Sequence, residues 1–246
     1  MNTNIITANT VHKPTKICVP LAEAMNWRGE SHQITRKLDG EFHVYNIEAG
    51  GLSAVLACER MKYKSSGFFT PSDHANFARF GIFYAAFDVL KVGCLDMRDM
   101  PLRARWAQLR ALAPHFDDQS GLVLVESGFG GDFVAAAMAA GAEGCCAKSW
   151  ASQWGEPMTA AKRLQTFYCV VTSLPVGRQS VRIALAKGDD YARGEDCGQI
   201  ALRGNKCDRV RIGSILKVEA MGLTPAGMLR EARLCQDSEN SWLMRF

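Results

Sequence analysis

Lys37 sits in "ITRKLDGEF" between an apolar, strand-like run and the tight turn of Asp39-Gly40. A lysine in that position is either a solvated surface charge or a nucleophile. To attack phosphorus or carbon the amine must be uncharged, a state that neighbouring cations, a metal ion or desolvation all favour. The chain supplies further groups suited to such a centre. In order they are Glu59 in "LACER", Tyr84 and Asp88 in "FYAAFD", Glu143 and Lys148 in "EGCCAK", and Lys162 in "AAKRLQTF". Two further lysines are the partners an anionic reacting group needs, and two glutamates are hard oxygen donors suited to a divalent cation.

Those residues need a scaffold. The 246 residues suffice for one large domain or a medium domain with a small one. Hydrophobic content of 48% with 22% charged residues is that of a globular chain. No apolar run approaches the roughly 18 residues of a membrane span, and the polar N-terminus lacks a secretory core, so no membrane association and a cytoplasmic location are expected. Nine cysteines, an odd number, show neither a C-x-x-C nor a zinc spacing. The adjacent Cys145 and Cys146 read as small buried hydrophobes in a reducing compartment. The formal charge of +4 permits a nucleic-acid partner without arguing for one.

Along the chain, 14–30 reads as a short connecting and helical segment. "HQITRKLDGEFHVYNI" and "GLSAVLACER" read as strands around a Gly50-Gly51 turn. "IFYAAFDVL", "LVLVE", "GCCAK" and "TFYCVVT" are further strands. "PLRARWAQLRALAPHF" is a helix with Leu102, Trp106, Leu109 and Leu112 at helical spacing behind Pro101. "GDFVAAAMAAG" is a small-residue helix ended by Gly141. Asp73-His74 in "TPSDHANF" reads as part of a polar loop. "GFGGDF" lacks the Gly-Lys-Ser/Thr of a phosphate loop. Beyond "SLPVGRQS" short strands and glycine turns predict a small barrel. The predicted fold class is α+β: an antiparallel-sheet domain over 1–173 and an all-β barrel over 174–246.

With these motifs in this order, the sequence resembles the ATP-dependent DNA ligases of the covalent nucleotidyltransferase superfamily. The resemblance rests on "KLDG", "ACE", "YAAFD", "EGCCAK" and "KRLQTF". It extends through "FDVLKVGCLDMRDMPLRARWAQL" and "GSILKVEAMGLTPAGMLREARL", so that it covers about residues 16 to 242. It implies a nucleotidyltransferase (adenylation) domain followed by an OB-fold. It also implies nick sealing through a lysyl-AMP intermediate and an adenylylated 5′-phosphate, with ATP, Mg2+ (or Mn2+) and nicked duplex DNA. By the same resemblance Lys37 is the nucleophile, and Lys148 and Lys162 face the α-phosphate. Glu59 and Glu143 hold the metal or the ribose. Tyr84 stacks on adenine and Thr35 contacts the base. Asp39 and Gly40 shape the turn, Gly40 by letting the backbone approach the nucleotide. Arg178, Arg182, Arg203, Arg209 and Arg211 are candidates for DNA phosphates. A monomer is the default expectation, in a cell or as a viral protein in host cytoplasm.

The sequence also departs from the family pattern. Phe42 stands where an arginine follows the motif glycine by two, and no arginine lies between Tyr45 and Leu56. Ala160 replaces the first lysine of the late pair. Near the C-terminus Asp237 is kept, but Cys235 and Ser238 stand for Arg and Lys, with Arg230, Arg233 and Arg245 as available substitutes. Two alternatives stay open: an RNA ligase or capping-type nucleotidyltransferase, and a non-catalytic nick-binding protein on a decayed ligase fold.

Overall fold

The computed structural model describes residues 11, 14–49, 51–64, 67–116, 120–174, 179–202, 209–235 and 243–244. Arg178, Arg203, Asp237, Ser238 and Arg245 lie outside the described residues. The chain divides into two units, Met1–Arg163 and Leu164–Phe246.

The first unit begins with β1 (Lys16–Val19), α1 (Leu21–Ala24), β2 (His32–Lys37), β3 (Glu41–Ala49) and β4 (Leu52–Lys62). It continues with α2 (Pro71–Phe80), β5 (Ile82–Val92), β6 (Leu95–Asp96), α3 (Leu102–Leu112), β7 (Leu122–Leu124) and β8 (Ser127–Gly128). It closes with α4 (Gly130–Ala139), β9 (Gly144–Ser149) and β10 (Met158–Lys162). One sheet has the order β1-β10-β9-β2-β8, the other β3-β4-β5-β6 with β7 beside β5. The sheets are mixed rather than purely antiparallel as the sequence predicted. β1 joins β10 in parallel, and so does β7 with β5, because each returns through a long crossover rather than a tight turn.

Local chemistry accounts for the elements. The nine-position register of β3 on β4 leaves only two residues to turn, and Gly51 takes φ 81° there. α3 buries Leu102, Trp106, Leu109 and Leu112, the spacing read from the sequence, and also Arg105. The segment read as a polar loop around Asp73 is instead the helix α2. Thr70 and Asp73 form its reciprocal capping box and Pro71 occupies the first turn. Asp73 is fully buried and takes both terminal nitrogens of Arg36, so a polar sequence acquires a fixed inner face. The short segment ahead of β2 is part strand, since Lys16–Val19 finds β10 as its partner.

The second unit comprises β11 (Gln165–Ser173), β12 (Ser180–Lys187), β13 (Ala192–Ala201), β14 (Ile215–Ala220), β15 (Arg233–Leu234) and β16 (Leu243–Met244). β11 pairs with β12 and β14, which assigns it to this unit and moves the boundary about ten residues ahead of the expected 173. The strands run β13-β12-β11-β14-β15, with β16 also on β14, and no pairing closes the ends into a barrel among the described residues. Val171, Ile183, Ile200, Leu216 and Val218 form its core. Arg182 pairs with Asp196 at 2.8 Å and Arg233 with Glu219 at 3.1 Å.

Candidate active site

β2 places alternate residues on opposite faces of its sheet. Arg36 points to Asp73 and lies within 3.2 Å of Glu126, whereas Lys37 points to Glu143. β9 lies in register beside β2, with Thr35 opposite Cys146, Gln33 opposite Lys148 and Lys37 opposite Gly144. Gly144 is required there because a Cβ would come within 2.1 Å of the Ala161 carbonyl oxygen on β10. That close approach brings the end of β10, with Lys162, to Glu143.

The result is a small ionic cluster. The Lys37 amine donates to Glu143 Oε1, and Lys162 Nζ stands 3.6 Å from the same oxygen. Glu143 is buried, while Lys37 and Lys162 are largely buried. One carboxylate thus sits between two ammonium groups.

Beside it opens a cavity of about 70 Å3. Thr35, Lys37, Cys146 and Lys148 line it from the first sheet, and Phe42, Glu59 and Phe87 from the second. Lys148 Nζ lies 4.8 Å from the Phe87 ring centre and 5.9 Å from that of Trp154. Burial pushes its ammonium below the usual lysine range, and Asp88 at 3.7 Å opposes that shift. Asp88 also takes Arg105 Nε at 2.9 Å and Nη2 at 3.1 Å, while Arg105 Nη1 donates to the Ser152 carbonyl at 3.0 Å. Asp88 and Arg105 therefore form a dry, hydrogen-bonded strut beneath Lys148.

Of the residues singled out from sequence, Thr35, Lys37, Glu59 and Lys148 share this cavity, and Glu143 and Lys162 join it through Lys37. Asp39, Gly40 and Tyr84 are not in its wall. Asp39 is a buried anchor that accepts from Lys64 Nζ at 3.1 Å and from the Phe68 amide at 3.2 Å. Gly40 is forced by protein packing: a Cβ would lie 2.6 Å from the Arg60 carbonyl oxygen and 2.7 Å from Glu59 Cγ. Tyr84 packs on His43 at 4.9 Å and Tyr45 at 5.1 Å between ring centres. The register explains this. Phe42, Glu59 and Ala85 lie side by side, as do Glu41, Arg60 and Tyr84, so Tyr84 faces away from Glu59 while Phe87 shares the cavity face.

Sequence reasoning thus missed Phe87. The signal was present in strand alternation, because Phe87 and Tyr84 are an odd number apart, but only the pairing with Glu59 says which face is the working one. Phe42, seen from sequence as a missing arginine, makes an aromatic wall with Phe87 and Trp154 at centroid distances of 6.3 and 6.4 Å. Among the described residues no three His, Cys, Asp or Glu side chains converge as a ready-made metal cage. Glu59, in the cavity wall, is a hard oxygen donor of the kind Mg2+ takes, whose shell commonly holds one or two carboxylates with phosphate oxygens and water.

No family model matches the chain, and no curated protein matches it in sequence. Solved structures do. The ligase domain of M. tuberculosis LigD superposes with a TM-score of 0.55 at 16% identity, over 98% of this chain and all of that one. A Lig E DNA ligase, described as binding DNA with a minimal scaffold, gives 0.62 at 13%, over 92% and 99%. The fold is that of ATP-dependent DNA ligase domains. A mycobacterial DNA ligase D complexed with ATP also matches, with a TM-score of 0.53 at 17% identity over 98% of this chain. No helix of the ligase-like chain is long and apolar enough to cross a membrane among the described residues.

Proposed function

We propose that this chain is an ATP-dependent DNA ligase that seals nicks through a lysyl-AMP intermediate. The observation that carries the reading is the arrangement at Lys37. Its amine meets a glutamate shared with Lys162 and opens on a cavity that Lys148 lines from the same sheet, while a glutamate and aromatic rings line it from the other. The ligase-domain fold supports it, together with a structural neighbour, a mycobacterial DNA ligase D, that is complexed with ATP.

The chemistry follows from the charges. Glu143 holds Lys37 in place and is a base suited to accept its proton. The freed amine attacks the α-phosphorus of ATP, forming an N–P bond while the bond to the β-phosphate oxygen breaks and pyrophosphate leaves. Lys148 and Lys162 offer cations to the phosphoryl oxygens on which charge builds. The 5′-phosphate of a nick then attacks the adenylated lysine, releasing the amine. Attack by the 3′-hydroxyl seals the strand and expels AMP. Mg2+, held by Glu59 and Glu143, would neutralise phosphate charge when bound. Phe87, rather than Tyr84, supplies the ring for the adenine, with Thr35 near its edge. The second unit, Leu164–Phe246, is read as the OB-fold partner, with Arg209 and Arg211 as phosphate contacts.

The test is intact mass after incubation with ATP or GTP and Mg2+. A gain of one AMP, absent with GTP and absent in Lys37→Ala, supports the reading. No gain in wild type sinks it. Sealing of nicked DNA in preference to nicked RNA then fixes the substrate.

A further inference from the structure

The first unit carries a second concavity that shares no lining residue with the lysine cavity. Its volume is about 300 Å3, and Gln33, Trp106, Arg110, Leu124, Phe129 and Trp150 border it. The groove continues past Gly29, Glu30 and Arg103 toward Trp27 and Arg28.

Three features show that the groove is held in shape. The Trp150 indole N–H donates to the Gly29 carbonyl at 3.0 Å, fixing the loop against the ring. Gly29 leaves room for Phe129, because a Cβ there would lie 2.5 Å from Phe129 Cδ1. Phe129 nevertheless presents its ring outward, 72% exposed. The Arg103 guanidinium sits 6.0 Å from the Trp150 ring centre.

The deciding observation is Gln33. Its side chain is only 2% exposed, yet neither its amide oxygen nor its amide nitrogen has a hydrogen-bond partner among the described residues. An unpartnered buried amide is costly, and native proteins seldom keep one without a use. A primary amide offers one acceptor and adjacent donors in a plane, the pattern that pairs with the N6 amino group and N7 of adenine. Indole and phenyl rings around it give faces on which a base can stack. Arg28, Arg103 and Arg110 give cations for phosphate. Glu30 disfavours phosphate on its own side of the groove and can accept from sugar hydroxyls.

We propose that this groove, which adjoins the lysine cavity on the same face of β2 but is lined by other residues, is a second nucleotide site that takes one unstacked adenine nucleotide, either free or within a single strand. The proposal does not depend on ligase activity. Its test uses full-length Lys37→Ala protein, which cannot carry a lysyl adduct at that position. The protein is photolabelled with 8-azido-AMP in one arm and a short single strand bearing 8-azidodeoxyadenosine in the other. Labelled peptides are then mapped by mass spectrometry. Label is expected on the peptides holding Trp106–Arg110 or Phe129, falling at least tenfold in Gln33→Leu. The arm that labels more strongly identifies the source of the nucleotide. Gln33→Leu, which removes the orphaned amide at similar volume, is expected to melt no lower than its parent. Label confined to peptides holding Phe42 or Phe87, equal label in Gln33→Leu, or a lower melting point for that variant would each overturn the proposal.

Discussion

Arg36 and Lys37 are neighbours on one strand, yet they serve opposite faces of it. Arg36 is satisfied by protein: Asp73 binds it through two oxygens, and Asp73 in turn caps α2 through Thr70. Lys37 shares its carboxylate partner, Glu143, with a second lysine, and its amine stands at a cavity wall. The first arrangement completes its charge within the fold and holds elements together. The second leaves a surplus of positive charge where an anion can enter. A cation with its own buried counter-ion builds structure, while one that shares its counter-ion is available for chemistry.

The sharpest way to break this contrast is Lys37→Ala. It is expected to abolish the AMP adduct while leaving urea unfolding nearly unchanged, since Lys162 still faces Glu143. A stability loss as large as that of a core deletion would show that Lys37 is structural after all.

The converse change is Asp73→Ala. It strands a buried guanidinium and removes a cap, so unfolding free energy should fall by about 3–5 kcal/mol. Asp88→Asn should show a loss of similar size, because Arg105 and Lys148 both lean on that carboxylate. Chemical denaturation measures both. Either variant with wild-type stability would mean that the face is not held by these ion pairs.

Phe87→Ala and Tyr84→Ala sharpen the assignment of faces. ATP affinity should drop about ten- to a hundredfold for Phe87→Ala, corresponding to 1–3 kcal/mol of lost stacking. Tyr84→Ala should leave affinity unchanged and lower only stability. Isothermal titration separates the two, and the reverse ranking would restore Tyr84 to the site.

The smallest effect concerns pH. The folded Lys148 ammonium titrates below the unfolded value of 10.5, chiefly through burial. Between the folded and unfolded values the unfolded chain binds more protons, so this lysine makes stability rise as pH climbs toward that limit. Buried Cys58, Cys145 and Cys146 titrate above 9.0, which makes stability fall in the alkaline range. The difference between wild type and Lys148→Met isolates the lysine. The pH slope of that variant's unfolding free energy below pH 10.5 is expected to be less positive than that of wild type.

Much of this was legible beforehand. The lysine motif, the glutamate-glycine strand and the late lysine all stand at one cluster, and the helix over Leu102–Leu112 follows its spacing. What misled the reading was burial of polar groups. "TPSDHANF" has no apolar periodicity strong enough to announce a helix, because its inward residue is the aspartate that Arg36 neutralises. Asp39 and Gly40 match a motif, but they serve the packing of β4 and the segment from Lys64 to Phe68. Arg105 and Gln33 gave no signal at all, since a polar residue on an element is assigned to solvent until a partner or a groove is seen.

Sequence order by itself determined which residue types exist and which of them lie on alternate sides of a strand, since side-chain direction along a strand is a local property. Tertiary structure alone decided which side became the working one. Strand register and ion pairing act between segments far apart in the chain, and they brought Glu143 to Lys37, Asp73 to Arg36 and Phe87, not Tyr84, to the cavity.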